Sequence, residues 1–416
     1  MCLHDILIGQ FINSIDKLSN SPYASLMLIQ REIGESVLRR SREYPVVSIT
    51  GPRQSGKTTL AKMLFPDHEY ISLERPDYRE QAEEDPNRFL RSFGNGVILD
   101  EVQRAPDLFS YIQVIVDEQP HPARFVLTGS QNFLLLERIS QSLAGRVAIF
   151  RLPPFSFAEL QTSRFEHKDL DTYLFSGTYP PVYDRGYEPR PWYMDYVQTY
   201  IERDVRTVRR VTDLSLFQRF LGLCAGRVGQ LLNLNGLATE CGVSHNTARD
   251  WMSVLEASYL VFRLQPYHVN FNKRIVKQPK LYFYDSGLVC ALLGLQTADQ
   301  LGQHYLRGGI FESFVISELV KARWVAGLTG YGTFWRDRHG HEVDYLFERL
   351  GGHAPVEIKS GETIRRSMFD GLDYWSRLTG NEVDAGFLVY GGREDQHRTH
   401  ARVLGWRSLG QLLGLR

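Results

Sequence analysis

Short apolar runs alternate with amphipathic stretches through the first third of the chain. The runs cover residues 45–50, 70–73, 96–100, 124–128 and 147–150. That alternation predicts a parallel α/β sheet with helices between its strands. A helical pattern over 27–40 leads into the first strand, and Pro153-Pro154-Phe155-Ser156-Phe157 ends the pattern.

The rest of the chain changes period. Helical spacing over 157–160, 170–176 and 193–210 predicts a small lid, broken at Gly177-Thr178-Tyr179-Pro180-Pro181. Residues 229–264 read as two short helices, 234–241 and 244–257, with Gly242 as the turn between them. Leu237, Val243, Ala248, Trp251 and Leu255 fall on one core-facing stripe, and a strand follows over 259–264. In the last third a helix opens at Gly309-Ile310-Phe311-Glu312 and runs through Val315, Leu319 and Val320. An alternating strand over 342–347 then leads through Gly351-Gly352 to a second strand, Pro355-Val356-Glu357-Ile358-Lys359.

Composition narrows the class. At 416 residues the chain is long enough for two or three domains. Its 43% hydrophobic and 23% charged content is that of an ordinary soluble protein. A formal net charge of zero excludes a wholly basic nucleic-acid coat but leaves room for a local basic patch. Cys2, Cys224, Cys241 and Cys290 form no CxxC pair, so neither a disulfide framework nor a zinc site is expected. The first residues have no basic stretch and carry Asp5 inside their apolar run. No signal peptide, no membrane span and a cytoplasmic location are therefore expected.

The sharpest chemistry is Gly51-Pro52-Arg53-Gln54-Ser55-Gly56-Lys57-Thr58, placed between a strand and a helix that continues with Thr59. This is the GxxxxGK[ST] loop, whose backbone N–H groups wrap a phosphate at the positive end of a helix. Lys57 is expected to reach the β/γ-phosphates and Thr58 to hold Mg²⁺. The run Val97-Ile98-Leu99-Asp100-Glu101 supplies the complement. There Asp100 is a Mg²⁺ ligand and Glu101 a general base for water. After the strand ending at Thr128, Ser130 and Asn132 are both candidates to sense the γ-phosphate. Arg146 follows a helix and precedes the last strand. It reads either as a finger on a neighbouring subunit's γ-phosphate or as half of an internal ion pair, with Arg203 a second finger candidate.

The second helix of the middle pair presents Ser244, His245, Asn246 and Arg249 on its leading turns, where a recognition helix meets bases or phosphates. Asn272-Lys273-Arg274, Lys277 and Lys280 follow as a basic wing able to reach duplex phosphates. A winged helix used for packing or protein contact would look the same. In the last third, Glu357 and Lys359 leave one face of a strand, hairpin pairing can bring Asp344 beside them, and the helix can add Glu312. Hard oxygen ligands suit Mg²⁺, and Lys359 could orient or deprotonate a water. The order resembles the PD-(D/E)XK nuclease superfamily. The same groups could equally form a binding platform, or a solvated cluster paired with Arg336 and Arg338.

Together the segments GPRQSGKTT, VILDEVQ, VLTGSQ, LAGR, PPFSFAEL, GTYPPV, YIERDV, FYDSGL, GGIFESFV, WRDRHGHEVD and VEIKSG resemble a large group of bacterial and archaeal AAA-type ATPases. Their C-terminal domain, of unknown function, is similar to Holliday-junction resolvases and restriction nucleases. The resemblance runs from about Met27 to the C-terminus. It implies ATP binding at Gly51–Thr58, Mg²⁺ and hydrolysis groups at Asp100 and Glu101, and a nuclease-like C-terminal fold. The expected division is an N-terminal extension (1–26), a P-loop ATPase core (27–155), a helical lid (156–215), a winged helix-turn-helix (216–284) and a nuclease-like α/β domain (285–416). The expected function is an ATP-hydrolysing, DNA-binding protein, a motor on duplex or branched DNA that assembles as a homo-oligomer or ring. An ATP-gated metal-dependent nuclease and a nucleotide-switched regulator of a protein partner are the alternatives.

Overall fold

The computed structural model describes residues 29–130, 139, 141–167, 169–200, 213–267, 277–349, 352–380, 386–399 and 401–413. The extension over 1–26 and the candidates Asn132, Arg203, Lys273 and Arg274 lie outside the described residues. The chain divides into two compact units after Phe155.

The first unit is built on strands β1 (Val46–Thr50), β2 (Glu69–Ser72), β3 (Val97–Asp100), β4 (Phe125–Gly129) and β5 (Val147–Arg151). Each begins and ends within a residue of the apolar run that predicted it. All pairings are parallel, in the order β2-β3-β4-β1-β5. β1, β3 and β4 are buried along their whole length, which is why their sequences are nearly all apolar. The helix before the sheet spans Gly34–Ser41, shorter than the expected 27–40. Residues 29–31 run outside it, and the Arg31 side chain is spent on the loop after β1.

The helices expected as a lid, Phe157–Gln161, Leu170–Ser176 and Pro189–Tyr200, belong instead to the second unit. They pack there with the helices Ser286–Leu292 and Arg307–Val325. The Phe157 ring meets Tyr173 at 5.3 Å, Trp406 at 5.5 Å and Phe314 at 5.9 Å. Glu318, fully buried, accepts the Phe157 N–H at 2.7 Å and pairs with Lys321 at 2.7 Å. The apolar faces of these helices are thus satisfied by the C-terminal core. The segment expected as a breaking turn carries a short helix, Pro180–Asp184, started by its proline, while Asp285 accepts the Thr178 N–H at 2.6 Å.

Helices Leu234–Cys241 and His245–Ala257 sit where the sequence puts them. Gly242 closes the first in a left-handed conformation, and Ser244 caps the second by accepting the Thr247 N–H at 3.1 Å. Trp251 anchors the pair edge-on to Phe217 and Phe220 of the helix Leu214–Ala225. Strands β6 (Val261–Pro266) and β7 (Lys280–Phe283) follow, then β8 (Thr333–Arg336), β9 (Glu342–Arg349), β10 (Gly352–Lys359), β11 (Phe387–Tyr390), β12 (Gln396–Arg398) and β13 (Ala401–Gly405). They make one eight-stranded mixed sheet, ordered β12-β13-β11-β10-β9-β8-β6-β7. The sheet runs straight through the boundary expected at 284/285. The first residues of β6 pair with β7 and its last two with β8, so the hairpin read as a wing is one edge of the C-terminal sheet.

Candidate functional site

Parallel pairing brings the C-terminal ends of β1, β3 and β4 to one edge, the usual ligand edge of such a sheet. The loop after β1 has a constrained backbone. A Cβ on Gly51 would lie 2.1 Å from the Leu152 carbonyl oxygen, so a side chain there would collide with the main chain. Gly56, at φ 91°, takes the left-handed turn that starts the helix Lys57–Leu64. Arg31 ties the loop down. It donates to the Ser55 carbonyl at 2.7 Å and to the Pro153 carbonyl at 2.6 Å, with its guanidinium over the Phe155 ring at 5.0 Å.

Lys57 is buried and donates to the Pro52 carbonyl at 2.7 Å, folding its ammonium back over the loop. Within the loop Pro52 is buried, Arg53 half-buried and Gln54 exposed, and Thr59 is exposed on the following helix. The Thr58 hydroxyl stands 3.1 Å and 3.2 Å from the two Asp100 oxygens. Asp100 also accepts from the Thr128 hydroxyl and, at 2.9 Å, from Tyr70. Burial, and then the Asp100 charge, pushes the Tyr70 phenol well above its ordinary pKa, so it stays a donor. Glu101 follows β3 at φ 55°. It accepts from the Gln103 amide and, at 3.2 Å, from the Ser130 hydroxyl. Among the described residues, non-glycine positive φ occurs at Gln54, Glu101, Ala123 and Tyr259. Two of the four lie in this site, where stored backbone strain is commonest.

The residues fit a magnesium nucleotide. The buried Ser55 Oγ has no hydrogen-bond partner among the described residues, the backbone cradle at Gly51 admits no side chain, and Thr58 and Asp100 offer adjacent hard oxygens. Arg146 makes a two-point pair with Asp117, at 2.5 Å and 2.8 Å, which is the internal partner weighed against the finger role.

A second cluster lies in the C-terminal unit, where the structure brings all four expected groups together. The β9–β10 ladder ends at Tyr345 and Val356, and the Asp344 carboxylate then takes the Ile358 N–H at 2.8 Å. Lys359 pairs with Glu357 and reaches Asp344 at 3.4 Å. The helix Arg307–Val325 packs on both β7 and β10 and contributes Glu312.

Three participants were missed or misplaced by sequence reasoning. Glu342 joins Glu312 and Asp344, with one oxygen of each within 4.8 Å of the others. Tyr282 donates to Glu312 at 2.5 Å. Lys280, read as part of the wing, is buried and stands 2.8 Å from Glu312, 3.6 Å from Asp344 and in contact with Glu342. The signal was present: Lys280 and Tyr282 alternate on one strand face as Glu357 and Lys359 do. Arg336 pairs at 2.7 Å with Glu342, a carboxylate outside the set it was expected to meet.

Burial, reinforced by the Asp344 charge, raises Glu357 to about 8 and raises Glu312 as well. Burial works upward on Asp344 too, but Lys359 and Lys280 hold it below the ordinary carboxylate range. A divalent metal does not fit this set as it stands, because an ammonium already touches three of the carboxylates that would hold it.

Residues 43–161 match an AAA domain, and 167–299 and 307–409 match two domains of unknown function, DUF8612 and DUF4143. The uncharacterized proteins Rv2008c of Mycobacterium tuberculosis and Mb2031c of Mycobacterium bovis are each 32% identical to this chain over 356 residues. The match covers 84% of this chain and 78% of each relative. The chain belongs to this family of AAA-domain ATPases. A solved Walker-type ATPase of Pyrococcus abyssi, PABY2304, is more distant, at 14% identity and a TM-score of 0.41, covering 64% of this chain and 96% of the other. The AAA-domain ATPase has no helix among its described residues long and apolar enough to cross a membrane.

Proposed function

We propose that this AAA-domain ATPase binds ATP at Gly51–Thr59 and couples its hydrolysis to engagement of duplex or branched DNA. The observation that carries the ATPase half is the adjacency of Thr58 and Asp100 at the foot of a strained phosphate loop. Bound Mg²⁺ supplies positive charge to the β- and γ-phosphates. Thr58 and Asp100 would hold it, and Lys57 would exchange the Pro52 carbonyl for phosphate oxygens. Glu101 polarises the attacking water, oriented by Gln103 and by Ser130, which is also placed to respond to the γ-phosphate. Arg146 completes a neighbouring subunit's site in a homo-oligomer once it leaves its exposed pair with Asp117.

The DNA half rests on the exposed leading turn of His245–Ala257. Ser244 is occupied as the helix cap, while His245, Asn246 and Arg249 are exposed and supported from below by buried Ala248 and Trp251. Lys273 and Arg274 supply further phosphate contacts in this reading.

The test is steady-state ATPase activity of wild type and Lys57→Ala with single-stranded, duplex, forked and four-way DNA. Stimulation by at least one DNA, weakened in Arg249→Glu and falling with salt, is the expected result. Hydrolysis indifferent to every DNA would turn the exposed helix toward a protein partner. The nuclease reading needs a metal at Glu312, Asp344 and Glu357, where Lys280 already pairs with Glu312 and Asp344.

A further inference from the structure

We infer that Lys280 is the resident cation of the C-terminal carboxylate cluster, standing where a metal-dependent nuclease would take a divalent ion, and that it keeps the site closed to metal. Three observations carry this. The ammonium is buried and touches Glu312, Glu342 and Asp344, the same residues whose oxygens converge closely enough to ligate one ion. Its 2.8 Å separation from Glu312 is a charge-assisted hydrogen bond, so the ammonium is bonded into the cluster and not merely near it. Its position is also fixed by the fold rather than by a swinging side chain.

That third point follows from register. Lys280 pairs with Leu264, one residue before β6 leaves β7 for β8 at Gln265 and Thr333. The start of β7 is therefore held near the start of β8, and the Lys280 ammonium lies 5.6 Å from the centre of the Phe334 ring. The Gln230 carbonyl accepts the Leu281 N–H at 3.0 Å and the Leu232 N–H reaches the Pro279 carbonyl at 2.8 Å, so backbone bonds flank Lys280 on both sides. Tyr282, two residues on, donates to the Glu312 oxygen that Lys280 also contacts. A metal would have to displace a paired ammonium and sit beside it in a buried pocket, where two cations repel strongly. Removing the lysine charge leaves three converging carboxylates without it, which is what a hard divalent ion selects. The C-terminal domain thus keeps a nuclease-like carboxylate arrangement with its cation built into the chain.

The experiment uses full-length, nucleotide-free protein and Mn²⁺ alone, followed by electron paramagnetic resonance and calorimetry. Wild type and Asp344→Asn should bind Mn²⁺ identically, showing no Asp344-dependent site. Lys280→Gln should gain one site, tighter by about tenfold or more, and lose it in the double variant with Asp344→Asn. Asp344-dependent Mn²⁺ binding by wild type, or a folded Lys280→Gln that gains nothing, would overturn the inference. Should Lys280→Gln not fold, the wild-type comparison with Asp344→Asn still decides it.

Discussion

The Thr58 hydroxyl lies 3.1 Å from Oδ2 of Asp100, joining the phosphate loop after β1 to the end of β3 across the intervening strand β4. Sequence separates the two by 42 residues, and parallel pairing closes the gap. Thr128, opposite Asp100 in the β3–β4 register, holds the carboxylate from the middle strand. The geometry separates a residue that binds from one that acts on water. Asp100 faces the loop, while Glu101, turned by its positive φ, is held by Gln103 and Ser130.

Glu101→Gln should therefore retain ATP binding and lose turnover. A positioned general base contributes about 10²–10⁴-fold, so kcat is expected to fall in that range with nucleotide affinity unchanged. Single-turnover hydrolysis and equilibrium nucleotide binding on the same protein check this. Equal loss of both would mean that Glu101 shapes the loop instead.

Arg31 is expected to matter for binding without touching nucleotide. It spans the Ser55 and Pro153 carbonyls, and hydrogen bonds from a charged donor contribute about 1.5–3 kcal/mol each. Arg31→Ala should raise KM for ATP and lower the melting temperature, with a smaller effect on kcat than Glu101→Gln. Arg31→Lys should restore part of the stability, since one ammonium cannot span both carbonyls as the guanidinium fork does. A wild-type KM and melting temperature in Arg31→Ala would remove this role.

The cluster around Glu357 predicts a pH dependence of stability. Burial first, then the Asp344 charge, raises its folded pKa to about 8, above the ordinary carboxyl value. Between the two values the folded chain keeps a proton that the unfolded chain has released. Folding is therefore favoured at the acid end, and stability is lost as pH rises through the folded pKa. Glu357→Gln, always uncharged at that position, should flatten the fall. Urea unfolding of both proteins at several pH values between about 5 and 9 measures it. An identical slope in the variant would assign the effect to other groups.

Much of the first unit was legible because its signals are local. The strand Val46–Thr50 is short, apolar and buried throughout, and the GxxxxGK[ST] loop carries its chemistry in eight consecutive positions. The pair Leu234–Cys241 and His245–Ala257 was legible for the same reason, with Gly242 and Ser244 marking its turn. What escaped depends on distant partners. Arg31 gives no sequence hint that its targets are the Ser55 and Pro153 carbonyls, and Tyr70 reads as an ordinary strand residue until β2 pairs with β3. The helices from Phe157 to Tyr200 read as a lid because they follow the core in sequence, while the surface that buries Phe157 comes from Phe314 and Trp406. Lys280 was read as wing because basic neighbours precede it. The register of β6, which passes from β7 to β8, is what carries it to Glu312 and Asp344.

The most direct test of the account is calorimetric titration of purified protein with ATP and Mg²⁺, paired with phosphate release by wild type and Lys57→Ala. The account predicts one saturable nucleotide site per chain and turnover in wild type, and loss of turnover with weakened binding in Lys57→Ala. Wild-type protein without measurable affinity for adenine nucleotides, or Lys57→Ala hydrolysing ATP at the wild-type rate, would contradict it.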